Sequence, residues 1–235
     1  MVESLVAAVI VVVGAMIQGS IGFGMALVAA PVLVLLDPRL VPGPLLLAGF
    51  PFMLLLAWRE RQGIDYGSIA VPVVGQLAGI LLALLVLSAA DPRMLSLLIA
   101  LVVLLGVGLS VSGLELPVNR TSFLLGGTLA GFMGTTSSMP GPALALIHQH
   151  VSAARMRSTL APFFCVGTAA GLIGLLATGQ MGEAELLMGL WLIPPGLAGL
   201  WLSSWTAPRV SESVVRPAVL IFSCSAALFL IYRSV

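Results

Sequence analysis

Long apolar runs separated by short polar stretches predict ten helical segments along this chain. The first five segments lie at about 2–18, 24–36, 43–58, 67–90 and 93–113, and the second five at about 121–134, 142–151, 158–178, 185–205 and 214–232. A helix needs about 20 apolar residues to cross a bilayer. The fourth, fifth, eighth, ninth and tenth segments reach that length comfortably. The first, second, sixth and seventh look short, and they form two adjacent pairs around breaks rich in Gly, Ser and Thr.

Composition places these segments in a membrane. Of the 235 residues, 60% are hydrophobic and only 8% are charged, whereas a soluble domain carries about 25% charged residues. So few charges cannot cover a surface that faces water, which excludes the soluble class. We therefore predict a single all-α polytopic transmembrane domain over residues 1–235. The net charge of +1 and the lack of Lys leave no basic surface for nucleic acid.

The two halves of the chain resemble each other, which predicts an internal duplication. A shift of 112 residues places Gly19 on Gly131 and Gly22 on Gly134, a shift of 111 places Pro51-Phe52 on Pro162-Phe163, and a shift of 120 places Leu77-Ala78-Gly79 on Leu197-Ala198-Gly199. The three matches keep their order, with only small insertions between them. They predict two repeats of about five segments each, at 1–113 and 120–233.

The arginines predict how the segments are oriented. If the ten segments alternate sides, one side receives Arg59, Arg61, Arg120, Arg155, Arg157, Arg209 and Arg216. The other side receives Arg39, Arg93 and Arg233, together with Glu3, Asp37, Asp91, Glu183 and Glu185. By the positive-inside rule the first side is cytoplasmic, so both termini are predicted outside the cytoplasm of a bacterial-type inner membrane. Because each repeat has five segments, an odd number, the second repeat is predicted to cross the membrane in the opposite orientation to the first.

The two breaks are the expected functional centre. The first is GAMIQGSIGFG, from Gly14 to Gly24, and the second is GTLAGFMGTTSSMPGP, from Gly127 to Pro142. Irregular backbone survives at membrane depth only where it is buried or lines a cavity. We predict that each pair of short segments is a broken or re-entrant helix, and that the inverted repeats bring the two turns together near the midplane.

Such turns have the chemistry of an anion site. A helix that begins at a turn directs free N–H groups and the positive end of its dipole towards that turn. Two helix starts, near Gly24 and near Gly141-Pro142, would face one volume and bind an anion without a buried Lys or Arg. The predicted substrate-binding residues are Gln18, Gly19, Ser20, Gly22, Phe23 and Gly24 at the first break, and Gly134, Thr135, Thr136, Ser137, Ser138 and Gly141 at the second.

Other small or polar residues in the apolar tracts have simpler explanations. We assign the pairs Gly75/Gly79 and Gly127/Gly131, spaced four apart, to close helix packing. Gln18 and Gln76 either line the pathway or bond to a neighbouring helix.

No metal or cofactor is expected. His148 and His150 are two residues apart and do not share a helix face. We expect both at the cytoplasmic interface, with a proton-coupling role for one of them as the alternative. Cys165 and Cys224 lie in apolar tracts and are expected to be small buried hydrophobic residues.

These paired glycine motifs resemble those of the sulfite exporter TauE/SafE family of membrane permeases, and the resemblance covers nearly the whole chain. The family's first motif, a Gly-spaced run followed by a Pro, is matched by Gly19, Gly22, Phe23, Gly24 and Pro31. Many members end the second motif in a triple Gly, whereas here Gly134-Thr135-Thr136-Ser137-Ser138 precedes Met139-Pro140-Gly141-Pro142. The resemblance implies transport of a small sulfur-containing oxyanion, such as sulfite or a sulfonate.

The leading hypothesis is a secondary transporter of a small anion that works by alternating access. A proton or sodium gradient, or simple facilitation, would drive it, because a chain without Lys has no GxxxxGK[ST] nucleotide motif. The alternatives are a channel-like anion pore and a permease for a small carboxylate or another organosulfur compound. We expect no enzyme activity, because neither Ser20 nor Ser137 lies in a GxSG-type elbow with a His in reach. Besides the small anionic substrate, the expected partner is the lipid bilayer. The sequence allows a homodimer but does not predict the oligomeric state.

Overall fold

A computed structural model describes residues 2–21, 24–59, 61–63, 66–114, 117–145, 147, 153–206 and 212–234. These residues form ten α-helices and no strand. The helices are α1 (Val2–Ile21), α2 (Met25–Leu36), α3 (Gly43–Arg59), α4 (Tyr66–Ala89), α5 (Pro92–Val111), α6 (Arg120–Ser137), α7 (Gly141–Ala145), α8 (Ala153–Ala177), α9 (Glu183–Thr206) and α10 (Glu212–Ser234). Each predicted segment corresponds to one helix, which confirms the all-α class.

The surface of the bundle is suited to lipid. Within the described residues, seven helical stretches are long and apolar enough to cross a membrane. Large apolar side chains cover the outer faces of several helices: Leu81 and Leu85 of α4 and Ile221 of α10 are each more than half exposed. Exposed apolar area of this extent is stable only in contact with hydrocarbon. The chain is therefore a multi-pass membrane protein.

The prediction that the first and sixth segments are short was wrong. α1 has 20 residues and α6 has 18. At 1.5 Å per residue these helices extend ~30 and ~27 Å, about the thickness of the hydrocarbon core. The low helix propensity of the Gly, Ser and Thr residues at their ends is overridden, because a helix pairs backbone groups that have no water to bond. Only the second helix of each pair is short, with 12 residues in α2 and five in α7.

Both pairs turn back on themselves as helical hairpins. α2 begins beside α1, because the backbone N–H of Met25 donates to Gln18 Oε1 at 2.9 Å. α7 returns along α6 in the same way: a Cβ on Gly126 would lie 3.4 Å from Leu144 Cδ2 and 3.7 Å from the carbonyl oxygen of Ala143, both in α7. α6 ends at Ser138, whose φ of 60° is in the left-handed region. We call α1–α2 the first hairpin and α6–α7 the second hairpin.

The helices pack in pairs that recur five positions along the chain. α1 packs on α9 as α6 packs on α4, α3 packs on α9 as α8 packs on α4, and α3 packs on α8 and α5 on α10. The start of α10 lies against the end of α5, since Arg216 Nη2 donates to the carbonyl oxygen of Ser110 at 3.0 Å. These two helices therefore run antiparallel, as equivalent helices of inverted repeats must. The duplication itself stays a prediction.

The centre of the bundle is made by α2, α3 and α8. α2 is apolar on every side, and nine of its 12 residues are buried, which such a helix requires. Phe52 of α3 and Phe163 of α8, which the 111-residue shift superposes, are both fully buried.

Polar loops at one end of the bundle lie beside both termini. Arg39 forms an ion pair with Asp37 at 2.8 Å, and its hydrogen bonds hold the pKa of the Asp37 carboxyl below its usual value. Glu3 lines a surface depression together with Asp37, and Arg233 Nη1 donates to the carbonyl oxygen of Leu35 at 2.9 Å. The two ends of the described chain therefore share one side of the bundle. That this side faces away from the cytoplasm stays a prediction.

The glycines of α4 and α6 pack these helices backbone to backbone, as predicted for the pairs Gly75/Gly79 and Gly127/Gly131. A Cβ on Gly79 would collide with the carbonyl oxygen of Thr128. A Cβ on Gly131 would collide with the carbonyl oxygen of Gln76. We expect Gly79→Ala to lower the free energy of unfolding by about 1–3 kcal/mol, because rigid backbone must move apart. Thermal unfolding of the protein in detergent measures the loss.

Gly108→Ala in α5 is the matched control. Among the described residues beyond its own stretch of helix, none has an atom within 4 Å of a Cβ built on Gly108. This variant should melt at or slightly above the temperature of the unmodified protein, because Ala has the higher helix propensity. Equal melting temperatures for the two variants would contradict the close packing of α4 on α6.

Candidate functional site

The two hairpins meet at a cavity of about 50 Å³, which we call the larger cavity because a smaller one adjoins it. Both helix starts line it: residues 24–27 come from the first hairpin and residues 138–142 from the second. Its remaining described wall is made by α1, α3 and α8, which contribute Gln18, Leu45, Leu46, Gly49, Met53, Phe164 and Thr168. The pairing of the two breaks, which the sequence predicts, is thus present in the fold.

Gln18 organises the start of α2. Its Oε1 accepts the N–H of Met25, the first residue of the helix, while the N-cap residue Gly24 provides no side-chain cap. Gly24 has a φ of 129°, a backbone conformation that residues other than Gly rarely adopt. The N–H groups of Ala26 and Leu27 belong to the same first turn, where a helix has no internal acceptors. Both residues line the larger cavity.

Ser138 organises the second hairpin. Its hydroxyl donates to the carbonyl oxygen of Pro42 at 3.0 Å, which ties the turn after α6 to the chain just before α3. Gly141 begins α7, and Pro142 follows at a position where a missing N–H costs nothing.

The larger cavity offers neutral hydrogen-bond donors and no ionic charge. None of the described residues that line it carries a charged side chain. The Nε2 of Gln18 contacts Met53 Sδ at 3.8 Å, and a thioether is a weak acceptor, so this amide can donate to a ligand. A cavity needs a volume of about 10–15 Å³ to hold one water molecule. About 50 Å³ therefore accommodates roughly three to five non-hydrogen atoms.

A second space of about 10 Å³, which we call the smaller cavity, adjoins the larger one. The two share Leu46, Pro140, Phe164 and Thr168 as wall residues. The other described residues around the smaller cavity are Gln76 and Ile80 of α4, Ala130, Gly131, Gly134 and Thr135 of α6, and Gly167 of α8.

The structure separates the twelve predicted site residues into four groups. Those on the larger cavity are Gln18, Gly24, Ser138 and Gly141; those on the smaller cavity are Gly134 and Thr135. Four others make contacts elsewhere: Gly19 packs against Ser203 of α9, and the hydroxyls of Ser20, Thr136 and Ser137 donate to the carbonyl oxygens of Met16, Phe132 and Met133. Gly22 and Phe23 lie outside the described residues, as do His148 and His150.

The walls from α3 and α8 are absent from the sequence prediction. One signal could have found them: the 111-residue shift that aligns Pro51-Phe52 with Pro162-Phe163 also aligns Met53 with Phe164. Both of these side chains line the larger cavity. Cys165 and Cys224, expected to be buried, are half-buried.

Comparison with known proteins identifies the family. The model of the family described as sulfite exporter TauE/SafE matches residues 6–230. The chain therefore belongs to this family of membrane permeases. Neither the curated proteins nor the solved structures gave a match.

The bond between Gln18 and Met25 should stabilise the first hairpin measurably. Gln18→Leu leaves the N–H of Met25 buried without its acceptor, which costs about 1–3 kcal/mol. Ser20→Ala is the control, because the Ser20 hydroxyl donates to the carbonyl oxygen of Met16 within α1 itself. We expect thermal unfolding in detergent to show a clear loss for Gln18→Leu and little change for Ser20→Ala. Equal melting temperatures for the two variants would contradict a capping role for Gln18.

Proposed function

We propose that this member of the TauE/SafE family is a secondary transporter of a small sulfur oxyanion such as sulfite, and that the larger cavity is its binding site. The observation that carries the proposal is the meeting of two helix starts and the Gln18 amide at one uncharged cavity. The family assignment supports the substrate class. The remaining support comes from the charge and size of the cavity.

Charge favours an anion in the larger cavity. α2 begins at the larger cavity, so the N–H groups of its first turn, which lack acceptors within the helix, create a positive field there. Gln18 adds an amide N–H that has only a thioether as its partner. Neutral donors of this kind bind anions without the cost of burying Lys or Arg in the bilayer.

Size favours a compact oxyanion. A space for roughly three to five non-hydrogen atoms suits sulfite, which has four. Taurine-like sulfonates carry additional carbon and nitrogen atoms, so they would require α3 or α8 to move outwards. We therefore rank sulfite above the organosulfonates.

The two hairpins suggest how the site opens. Each belongs to a different half of the chain, and both line the larger cavity. Rocking of one half against the other would expose the cavity to each side of the membrane in turn. In this proposal the protein spans a bacterial inner membrane, its site lies near the midplane and both termini lie outside the cytoplasm.

Transport into liposomes tests the proposal. Purified protein in proteoliposomes should take up sulfite with saturation and should exchange internal for external sulfite in counterflow. Saturation and counterflow are the properties of alternating access, since the carrier must reorient with each substrate. A flux that rises linearly with concentration would indicate a pore instead, and no flux of any small sulfur oxyanion would refute the proposal.

Two matched variants test the site itself. Gln18→Glu replaces an N–H donor with a negative charge in the larger cavity, so sulfite affinity should fall by at least the ~1.5–3 kcal/mol of one hydrogen bond to a charged group, or roughly 10-fold to 100-fold. Ser137→Ala should bind sulfite normally, because its hydroxyl donates to Met133 within α6. Saturation curves measure both affinities. If Gln18→Glu bound sulfite with normal affinity, the larger cavity would not be the sulfite site.

A further inference from the structure

We propose that the smaller cavity is a sodium site, and that the ion bound there accompanies the anion through the membrane. The inference deepens the proposed anion transport and rests on it for the coupling step. Its starting point is one side chain, Gln76 of α4, which is only 2% exposed. Among the described residues, the Oε1 of Gln76 is a buried side-chain oxygen with no hydrogen-bond partner.

An unpartnered buried acceptor selects the charge of its ligand. Gln76 Oε1 can receive a hydrogen bond or coordinate a cation, whereas an anion beside it would be repelled. Leaving such an oxygen unsatisfied in an apolar interior is costly. Because Gln76 lines the smaller cavity, we place the partner of this oxygen there, and that partner differs in charge from the ligand of the larger cavity.

The ligand must also be small and singly charged. A volume of about 10 Å³ admits one species of the size of a water molecule. Besides Gln76, the side-chain oxygens on the described wall are the hydroxyls of Thr135 and Thr168. Hard cations prefer such oxygen ligands, but divalent ions are usually bound through carboxylates, and the described wall has none. Sodium satisfies both requirements.

Two glycines of neighbouring helices fix the position of Gln76, one beside its side-chain amide and one beside its backbone. A Cβ on Gly167 of α8 would collide with this amide, so the absence of a side chain there makes room for it. Gly131 of α6 packs on the backbone of Gln76 itself. The proposed ligands Gln76, Thr135 and Thr168 thus come from three helices, α4, α6 and α8. Movement of α8 away from α4 would dismantle the site.

Because the two cavities are adjacent, the binding of sodium in one can affect the binding of the anion in the other. The larger and smaller cavities share four wall residues, one of which is Thr168. No described residue on either wall carries a charge, so an anion and a cation in the two cavities would be each other's nearest counter-charge. In a medium of low dielectric constant that attraction is strong, and an anion paired with a sodium ion carries less net charge through the bilayer than the anion alone. The anion should therefore bind more tightly when sodium is present.

Sodium binding can be tested without any anion substrate, which keeps this test independent of the proposed function. Thermal unfolding of the purified protein is measured in sodium, potassium and choline gluconate at equal ionic strength. Sodium alone should raise the Tm, and Gln76→Leu should abolish that rise. Ser223→Ala is the control, because Ser223 is a buried polar residue of α10 whose hydroxyl donates to Val219 within its own helix. It should keep the full sodium response.

Thr135→Val provides a second variant if Gln76→Leu fails to fold, since it removes an oxygen with little change of shape. It should weaken the sodium response several-fold. Equal responses to sodium and potassium, or a full response in Gln76→Leu or Thr135→Val, would overturn the proposal and leave a bound water as the partner of Gln76.

Sulfite uptake then tests the coupling. An inward sodium gradient should accelerate uptake by the unmodified protein and leave uptake by Gln76→Leu unaffected. Sodium-independent uptake, or uptake that follows a proton gradient instead, would overturn the coupling while supporting the anion site. Sodium binding with no sulfite flux would refute the proposed anion and leave the sodium site standing.

Discussion

The pairing of backbone groups where helices begin inside the bundle constrains the rest of this structure. Lipid supplies no hydrogen bonds, so an interior helix start must find acceptors in the protein or present its N–H groups to a cavity. The first hairpin uses both solutions. Gln18 accepts the N–H of Met25, while Ala26 and Leu27 of the same first turn line the larger cavity. The space for a ligand therefore lies at the same place as the helix start whose N–H groups lack acceptors within the helix.

The hairpins are held in position by helix contacts that only small residues permit. Gly79 and Gly131 bring α4 and α6 into backbone contact, and Gly199 brings α9 against the backbone of α1 at Val12. Gly19 of α1 leaves room for the side chain of Ser203 of α9. Such contacts replace the hydrophobic driving force that is absent between helices in lipid. The longer helix of each hairpin is thus packed against a helix from the other half of the chain. The larger cavity lies where the two hairpins face each other, so its shape depends on these contacts.

The sequence was sufficient for the number and order of the helices, which follow from the apolar runs. It was also sufficient for the convergence of the two breaks, which follows from their equivalent positions in the two predicted inverted repeats. It was insufficient for the end of α6, where Thr136 and Ser137 remain helical and bond to their own carbonyls. Propensity favours a break there, but burial without water favours the helix. Met53 and Phe164 were missed because an apolar side chain on a cavity wall has the same sequence pattern as one in the core.

The neutrality of both cavities has a consequence for turnover. A Lys or Arg in the larger cavity would bind an anion strongly, but releasing the anion would leave a buried charge unpaired, and that state is costly. Dipoles and amide groups attract an anion through partial charges, so the empty site carries no net charge and can reorient without a counter-ion. A cation in the smaller cavity would supply the missing attraction, and it would do so only while that cation is bound. Affinity would then be strong in the loaded protein and weak after either ion leaves, which is the condition that a carrier needs to release its substrate on the far side.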